Sequence, residues 1–201
     1  MFSRKRLIPV GICFVVLAAL TLFVGLALNA SAGQDSPKEE IIAQIVQYLK
    51  NKNVKIVDSK LRDMASTVYE ESEAYDLDYR LVLAVIRVES NFKNDAVSSK
   101  GARGLLQIKP SLAKYIAKEA GGRYEGVHSL HDSDNNIRLG VYHLSALLDD
   151  FKTVSAALHA YNVGSTKAKK KPFGNKEPKT RFTNHVLKEY QRNIEVLPES
   201  D

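Results

Sequence analysis

Glu89 stands at the end of an apolar run, Leu81-Val82-Leu83-Ala84-Val85-Ile86, with no obvious basic partner beside it. A carboxyl group at the rim of a core loses hydration, which disfavours its charged form and raises its pKa. A carboxylic acid that stays protonated near neutral pH can donate its proton to a leaving oxygen. Position alone, however, describes a solvated glutamate at a helix end better than it describes an acid. Four further side chains offer polar chemistry at intervals: Ser98, Gln107, Tyr161 and Asn162. Plain structural duties account for such residues too: a turn cap for Ser98, a surface amide for Gln107, a core ring for Tyr161.

Other chemistries lack their residues. The five histidines, His128, His131, His143, His159 and His185, show no metal-binding spacing such as H-E-x-x-H, so no metal and no cofactor are expected. Cys13 is the single cysteine and lies in the N-terminal apolar run, where it reads as a membrane residue. There is no G-x-S-x-G and no phosphate loop. Most glycosidases pair two carboxyl groups. Asp95, Asp132, Asp134, Asp149 and Asp150 read as helix ends or exposed faces, which leaves Glu89 without a second carboxylate.

The elements that must position these residues are helical. Apolar Ile41, Ile42, Ile45, Val46 and Leu49 recur at helical spacing between Glu39 and Lys50, the pattern of a stalk or docking helix. Ser59 is expected to cap a helix reaching about Tyr75, with Met64, Val68 and Tyr69 inward. Asp78 caps the next, Tyr79 to Glu89. Ser111 opens a third, closed by Gly121-Gly122. Ser133 or Asp134 opens a fourth, Thr153 a fifth through Ala160, and Thr180 to Glu195 closes the chain. A short hairpin is expected only near Gly101–Gly104. The fold class is all-α, with polar inter-helix loops of the kind that carry function.

Three motifs follow one another in order. Glu89-Ser90-Asn91-Phe92 comes first, then Ser98-x-x-Gly101-Ala102-Arg103-Gly104-Leu105-Leu106-Gln107 with Pro110, then Ala157-Leu158-His159-Ala160-Tyr161-Asn162-Val163-Gly164. Together they resemble the lytic transglycosylases of bacterial cell walls, a soluble-transglycosylase-type catalytic domain of the lysozyme-like superfamily. The resemblance spans Ser59 to Tyr190. It implies that Glu89 is the catalytic acid and base, and that Ser98, Gln107, Tyr161 and Asn162 bind substrate. It implies peptidoglycan as substrate, cut between N-acetylmuramic acid and N-acetylglucosamine with closure of a 1,6-anhydro ring and without water or metal. Gly101 and Gly104 match a tight turn, and Asn136-Ile137 and Tyr142 a helix supporting the cleft. The chain departs from the family's pattern at Leu106 and Lys109, where methionines are frequent, at Val163, and at Lys179-Thr180-Arg181-Phe182-Thr183-Asn184. Leu106 conserves volume; Lys109 brings a cation towards the cleft.

The N-terminus sets the compartment. Arg4, Lys5 and Arg6 precede an almost wholly apolar run from Leu7 to Leu28, long enough to cross a bilayer as a helix. Ala30-Ser31-Ala32 offers a signal-peptidase-like site, but the run exceeds the usual signal length, which favours an uncleaved anchor. The expected organisation is a signal peptide or transmembrane anchor over residues 1–33, a linker and stalk helix over 34–58, and the transglycosylase-like domain over 59–201. Either way the domain is exported to the cell envelope. The net charge of +6 includes the three leader cations, and the mild excess left over is no argument for nucleic acid. The basic run Lys167-Ala168-Lys169-Lys170-Lys171-Pro172 reads as a solvated loop able to touch anionic wall polymer. A hydrolytic muramidase of the same fold, a weakly catalytic wall-binding scaffold, or a hole-maker serving an envelope machine are the alternative readings.

Overall fold

The computed structural model describes residues 36–54, 56–170 and 177–200. The apolar leader, Cys13 and Lys171-Pro172 lie outside the described residues. The chain divides into two compact units, Met1–Glu39 and Glu40–Asp201. Only the last residues of the first are described, and the second carries all the motifs.

Among the described residues the structure is all-helical, with isolated bridges in place of strands. Helix α1 (Pro37–Asn51), expected as a stalk or docking helix, docks: it buries Ile41, Ile42, Ile45, Tyr48 and Leu49 in the same core as the helices that follow. The Tyr48 hydroxyl donates to Asn193 Oδ1 at 2.8 Å, and its ring meets Phe92 edge-on with centroids 6.2 Å apart. Five buried apolar side chains on one face are worth several kcal/mol against a free-standing stalk.

Helix α2 (Asp58–Ala74) turns Leu61, Met64, Ala65 and Val68 inward. Helix α3 (Tyr79–Ser90) is the most enclosed: Leu81 through Ile86 are all buried. A helix apolar on every side must be packed on every side, and that is what brings Glu89 to the margin of the core. Helices α4 (Pro110–Ile116), α5 (Ser133–Phe151), α6 (Val154–Val163), α7 (Ser165–Lys170) and α8 (Arg181–Val196) follow, with a 3-10 turn at Val127–His131.

Asp78, Thr153 and Thr180 cap α3, α6 and α8 as expected, each accepting a backbone N–H. Helix α5 opens at Ser133 as expected, whereas Ser59 and Ser111 do not cap. Val57 precedes α2 without a side-chain bond. Lys109 precedes α4 because Pro110 takes the first helical position, where its fixed φ fits and its missing N–H costs nothing. Asp132 caps α5, accepting from Asn135 N at 2.9 Å and pairing with Arg123 at 3.1 Å. Helix α6 runs past Ala160 and so contains Tyr161 and Asn162. The basic run is partly helical: Ala168 is buried in α7, Lys169 bonds Asp150 at 2.8 Å, and Lys167 and Lys170 are exposed.

Two tight reversals shape the segment between α3 and α4. Val97 bridges Arg103 around Gly101, where a hairpin is expected, and Arg103 bridges Ile108 around Gly104. Gly104 has φ +76°, and a Cβ there would lie 2.3 Å from both Asn136 Nδ2 and the Leu130 carbonyl oxygen. Neither backbone strain nor backbone collision can be relieved by a rotamer change. Gly104→Ala is expected to destabilise the fold by about 3 kcal/mol or more, read as a fall in Tm of about 10 °C by thermal unfolding.

Candidate active site

Helix α3 delivers Glu89 one residue before its end. Asn91 caps the helix in the left-handed region (φ 54°), and Phe92 follows with φ 62°, an uncommon backbone for an aromatic residue. Burial of Phe92 against Tyr48 offsets that strain and fixes the exit of the chain just beyond Glu89. Glu89 itself is half-buried, and desolvation pushes its carboxyl up to about 7. Neither a cation nor a second carboxylate contributes to that shift. The lone acid read from the sequence is therefore a group that holds its proton near neutrality.

Tyr161 reaches the same place from α6. Its hydroxyl donates to the Leu106 carbonyl at 2.6 Å. Burial and the negative charge of Glu89 both raise its pKa well above the usual phenol range. The phenol thus stays protonated and lies within electrostatic reach of the acid.

Leu106 is held from the other side by α5. Asn136, fully buried, accepts from Leu106 N at 2.8 Å through Oδ1 and donates through Nδ2 to Arg103 O at 3.0 Å and Leu130 O at 2.9 Å. One amide therefore satisfies three backbone groups of the motif segment and its neighbour. Gly140, one turn further on, has no room for a side chain: a Cβ would lie 2.3 Å from Leu106 Cδ1. Tyr142, expected on this cleft-supporting helix, packs edge-on against Tyr75 at 5.8 Å.

Gln107 follows with φ 49° and is half-buried. Its Nε2 donates to Ala96 O at 3.2 Å and Gly104 O at 2.9 Å. Those bonds lock the loop and leave the side-chain oxygen as the available polar atom. Ser98 Oγ accepts from Ala102 N at 3.0 Å, so it caps the Gly101 turn. Asn162 is exposed, and no side-chain hydrogen bond joins it to another described residue. The structure thus brings Glu89 and Tyr161 together and sets Gln107 beside Leu106. For Ser98 it shows a turn contact, and for Asn162 a solvent-facing amide. Three of the five aspartates keep to other duties: Asp132 caps α5, Asp134 accepts from Thr67 at 3.1 Å, and Asp150 pairs with Lys169.

Residues 66–183 match the family described as Transglycosylase SLT domain. The chain belongs to that family. A transglycosylase of Enterobacteria phage PRD1 is 35% identical over 102 residues, covering 51% of this chain and 35% of the phage protein. Membrane-bound lytic murein transglycosylase C of Mannheimia succiniciproducens is 32% identical over 119 residues, covering 54% of this chain and 33% of its own. The chain thus spans about a third of the length of these relatives. The structure of an inactive glutamate-to-glutamine mutant of lytic transglycosylase Slt from Pseudomonas aeruginosa superposes with a TM-score of 0.59 at 23% identity, over 84% of this chain and 32% of that one. At that identity the likeness shows a shared fold. The SLT match encloses all five residues singled out in the sequence. It leaves out α1 and nearly all of α8, although both pack into the same core.

Sequence reasoning passed over His143, whose ring lies 5.3 Å from that of Tyr161. Only its place three residues after Gly140 on α5 marks it out, and that signal acquires meaning once Gly140 is known to touch Leu106.

Proposed function

We propose that this SLT-family domain is a peptidoglycan lytic transglycosylase, with Glu89 as its one acid and base. The observation that carries the reading is a solitary half-buried carboxyl held near pKa 7 by desolvation alone, with the Tyr161 phenol within its electrostatic reach. Protonated Glu89 gives its proton to the glycosidic oxygen between N-acetylmuramic acid and N-acetylglucosamine, and the C1–O bond breaks. The muramoyl acetamido group stabilises the charge left on C1. Glu89, now a carboxylate, takes the proton of the same sugar's C6 hydroxyl while O6 bonds to C1. The acid is regenerated, and no water is consumed. Substrate supplies the group that a second carboxylate supplies elsewhere.

Tyr161 and Gln107 fix the wall of the site through Leu106 and Gly104, Ser98 shapes the turn beside it, and Asn162 offers an exposed amide to the glycan. Residues 1–33 act as a membrane anchor or export signal, which places the domain in the cell envelope on the peptidoglycan. Membrane-bound relatives of the same family are consistent with that placement. Among the described residues no helix is long and apolar enough to cross a membrane.

Mass spectrometry of digested peptidoglycan tests the reaction. Products one water lighter than hydrolytic muropeptides are expected; hydrolytic products alone would assign a muramidase instead. Tyr161→Phe removes the donor to Leu106 O and leaves that carbonyl unpaired. It is expected to lower kcat by about 30-fold, with a fall in Tm of only a few degrees, measured by muropeptide release and thermal unfolding.

A further inference from the structure

The contacts around Leu106 close a ring. Gly140 of α5 abuts the Leu106 side chain, the Leu106 carbonyl accepts from the Tyr161 hydroxyl, and the Tyr161 ring packs against His143 at a tilt of 42°. His143 returns to α5 three residues from Gly140, on the same helix face. The ring is shared by α5, α6 and the motif segment, and Glu89 faces the Tyr161 corner of it.

His143 differs from the other members in one respect. Leu106, Tyr161 and Asn136 have their polar groups paired inside the protein. No hydrogen bond joins either nitrogen of His143 to another described residue, and the side chain remains partly open to solvent. Desolvation holds its pKa down to about 4, so at neutral pH the imidazole carries one donor and one acceptor nitrogen. Neither His143 nitrogen is among the buried unpartnered atoms of the described residues, so both are open to solvent and within reach of a ligand. A sugar ring bears uncharged hydroxyl and acetamido groups that match a neutral donor and acceptor and would gain nothing special from a cation.

We propose that His143 is a substrate-contacting residue, its imidazole hydrogen-bonding a hydroxyl or acetamido group of the sugar that lies over Tyr161. This rests on the glycan-cleaving reading of the Glu89 site. His143→Phe keeps a ring against Tyr161 and removes both nitrogens; His143→Gln keeps a donor and an acceptor and removes the ring. Initial rates of muropeptide release, with thermal unfolding and circular dichroism, separate the roles. The expected result is a fall of about tenfold in kcat/KM for His143→Phe at unchanged Tm, with His143→Gln restored to within about threefold of wild type. Packing alone predicts the reverse order, with phenylalanine active and glutamine impaired, and that order overturns the proposal. Equal rates for all three proteins also overturn it. A wild-type protein that releases no muropeptide brings down the functional reading itself, and the His143 assignment with it, whereas an active wild type matched by His143→Phe brings down His143 alone.

Discussion

Glu89→Gln is expected to fold, to lose about 10³-fold or more in muropeptide release, and to grow more stable than wild type as pH rises. The rate follows from the role proposed for Glu89, since glutamine can neither give nor retrieve the proton. The stability follows from linkage. The Glu89 carboxyl titrates at 4.5 when unfolded and at about 7 in the fold. Below 4.5 both states hold the proton and the side chain costs nothing extra. Between 4.5 and 7 the native state binds more protons than the unfolded chain, so unfolding free energy declines as pH rises. Above 7 the fold carries a buried charge at a cost of roughly 3 kcal/mol, at 1.36 kcal/mol per pKa unit. Glutamine never pays it. Denaturant titrations at pH 4 and pH 8 are expected to show the two proteins converging at the lower pH and the variant ahead at the higher. Wild-type activity should fall as pH rises through about 7, in step with the protonated fraction. Equal stability at both pH values together with a rate insensitive to pH between 6 and 8 would mean a hydrated, unshifted carboxyl.

Asn136→Leu is expected to cost about 4 kcal/mol, the largest loss among single changes near the site. Leucine matches the volume but strands Leu106 N and Leu130 O, and it removes one of the two bonds at Arg103 O, which keeps its bond from Ile108 N at 2.9 Å. Each buried group left unpaired costs about 1–3 kcal/mol. Asn136→Asp separates hydrogen bonding from packing, because the carboxylate can still accept from Leu106 N but faces two carbonyl oxygens it cannot donate to. Both variants should unfold at markedly lower denaturant, with the slope of the transition preserved. An Asn136→Leu protein within 1 kcal/mol of wild type would show that the motif segment is held by other contacts.

The all-helical class and the capped starts at Asp78, Thr153 and Thr180 are legible in the sequence because apolar periodicity and capping side chains are local signals. Glu89 is legible as an acid only through the motifs around it, since its desolvation comes from helices distant in the chain. The starts misplaced at Ser59 and Ser111 share one cause. A neighbour did better through a contact or constraint: Pro110 by its ring, and Asp58 by its bond to Lys50 at 2.7 Å. Helix α1 reads equally as a stalk or a docking helix because nothing local says that Tyr48 will meet Asn193 and Phe92. His143 escapes notice for the same reason, as its neighbour Tyr161 lies on a different helix.

The base of α3 is gripped by residues from the far end of the chain. Tyr190 donates to Asp78 across 112 positions, Asn193 donates to the Arg80 carbonyl across 113, and Tyr79 donates to the Pro198 carbonyl across 119. Contacts this remote form late, because long loops must close before they are rewarded. During vectorial synthesis, the scaffold beneath Glu89 stays incomplete until α8 has emerged. Under the proposed function, a product stopped before α8 is expected to lack activity, because the setting of its acid is unfinished.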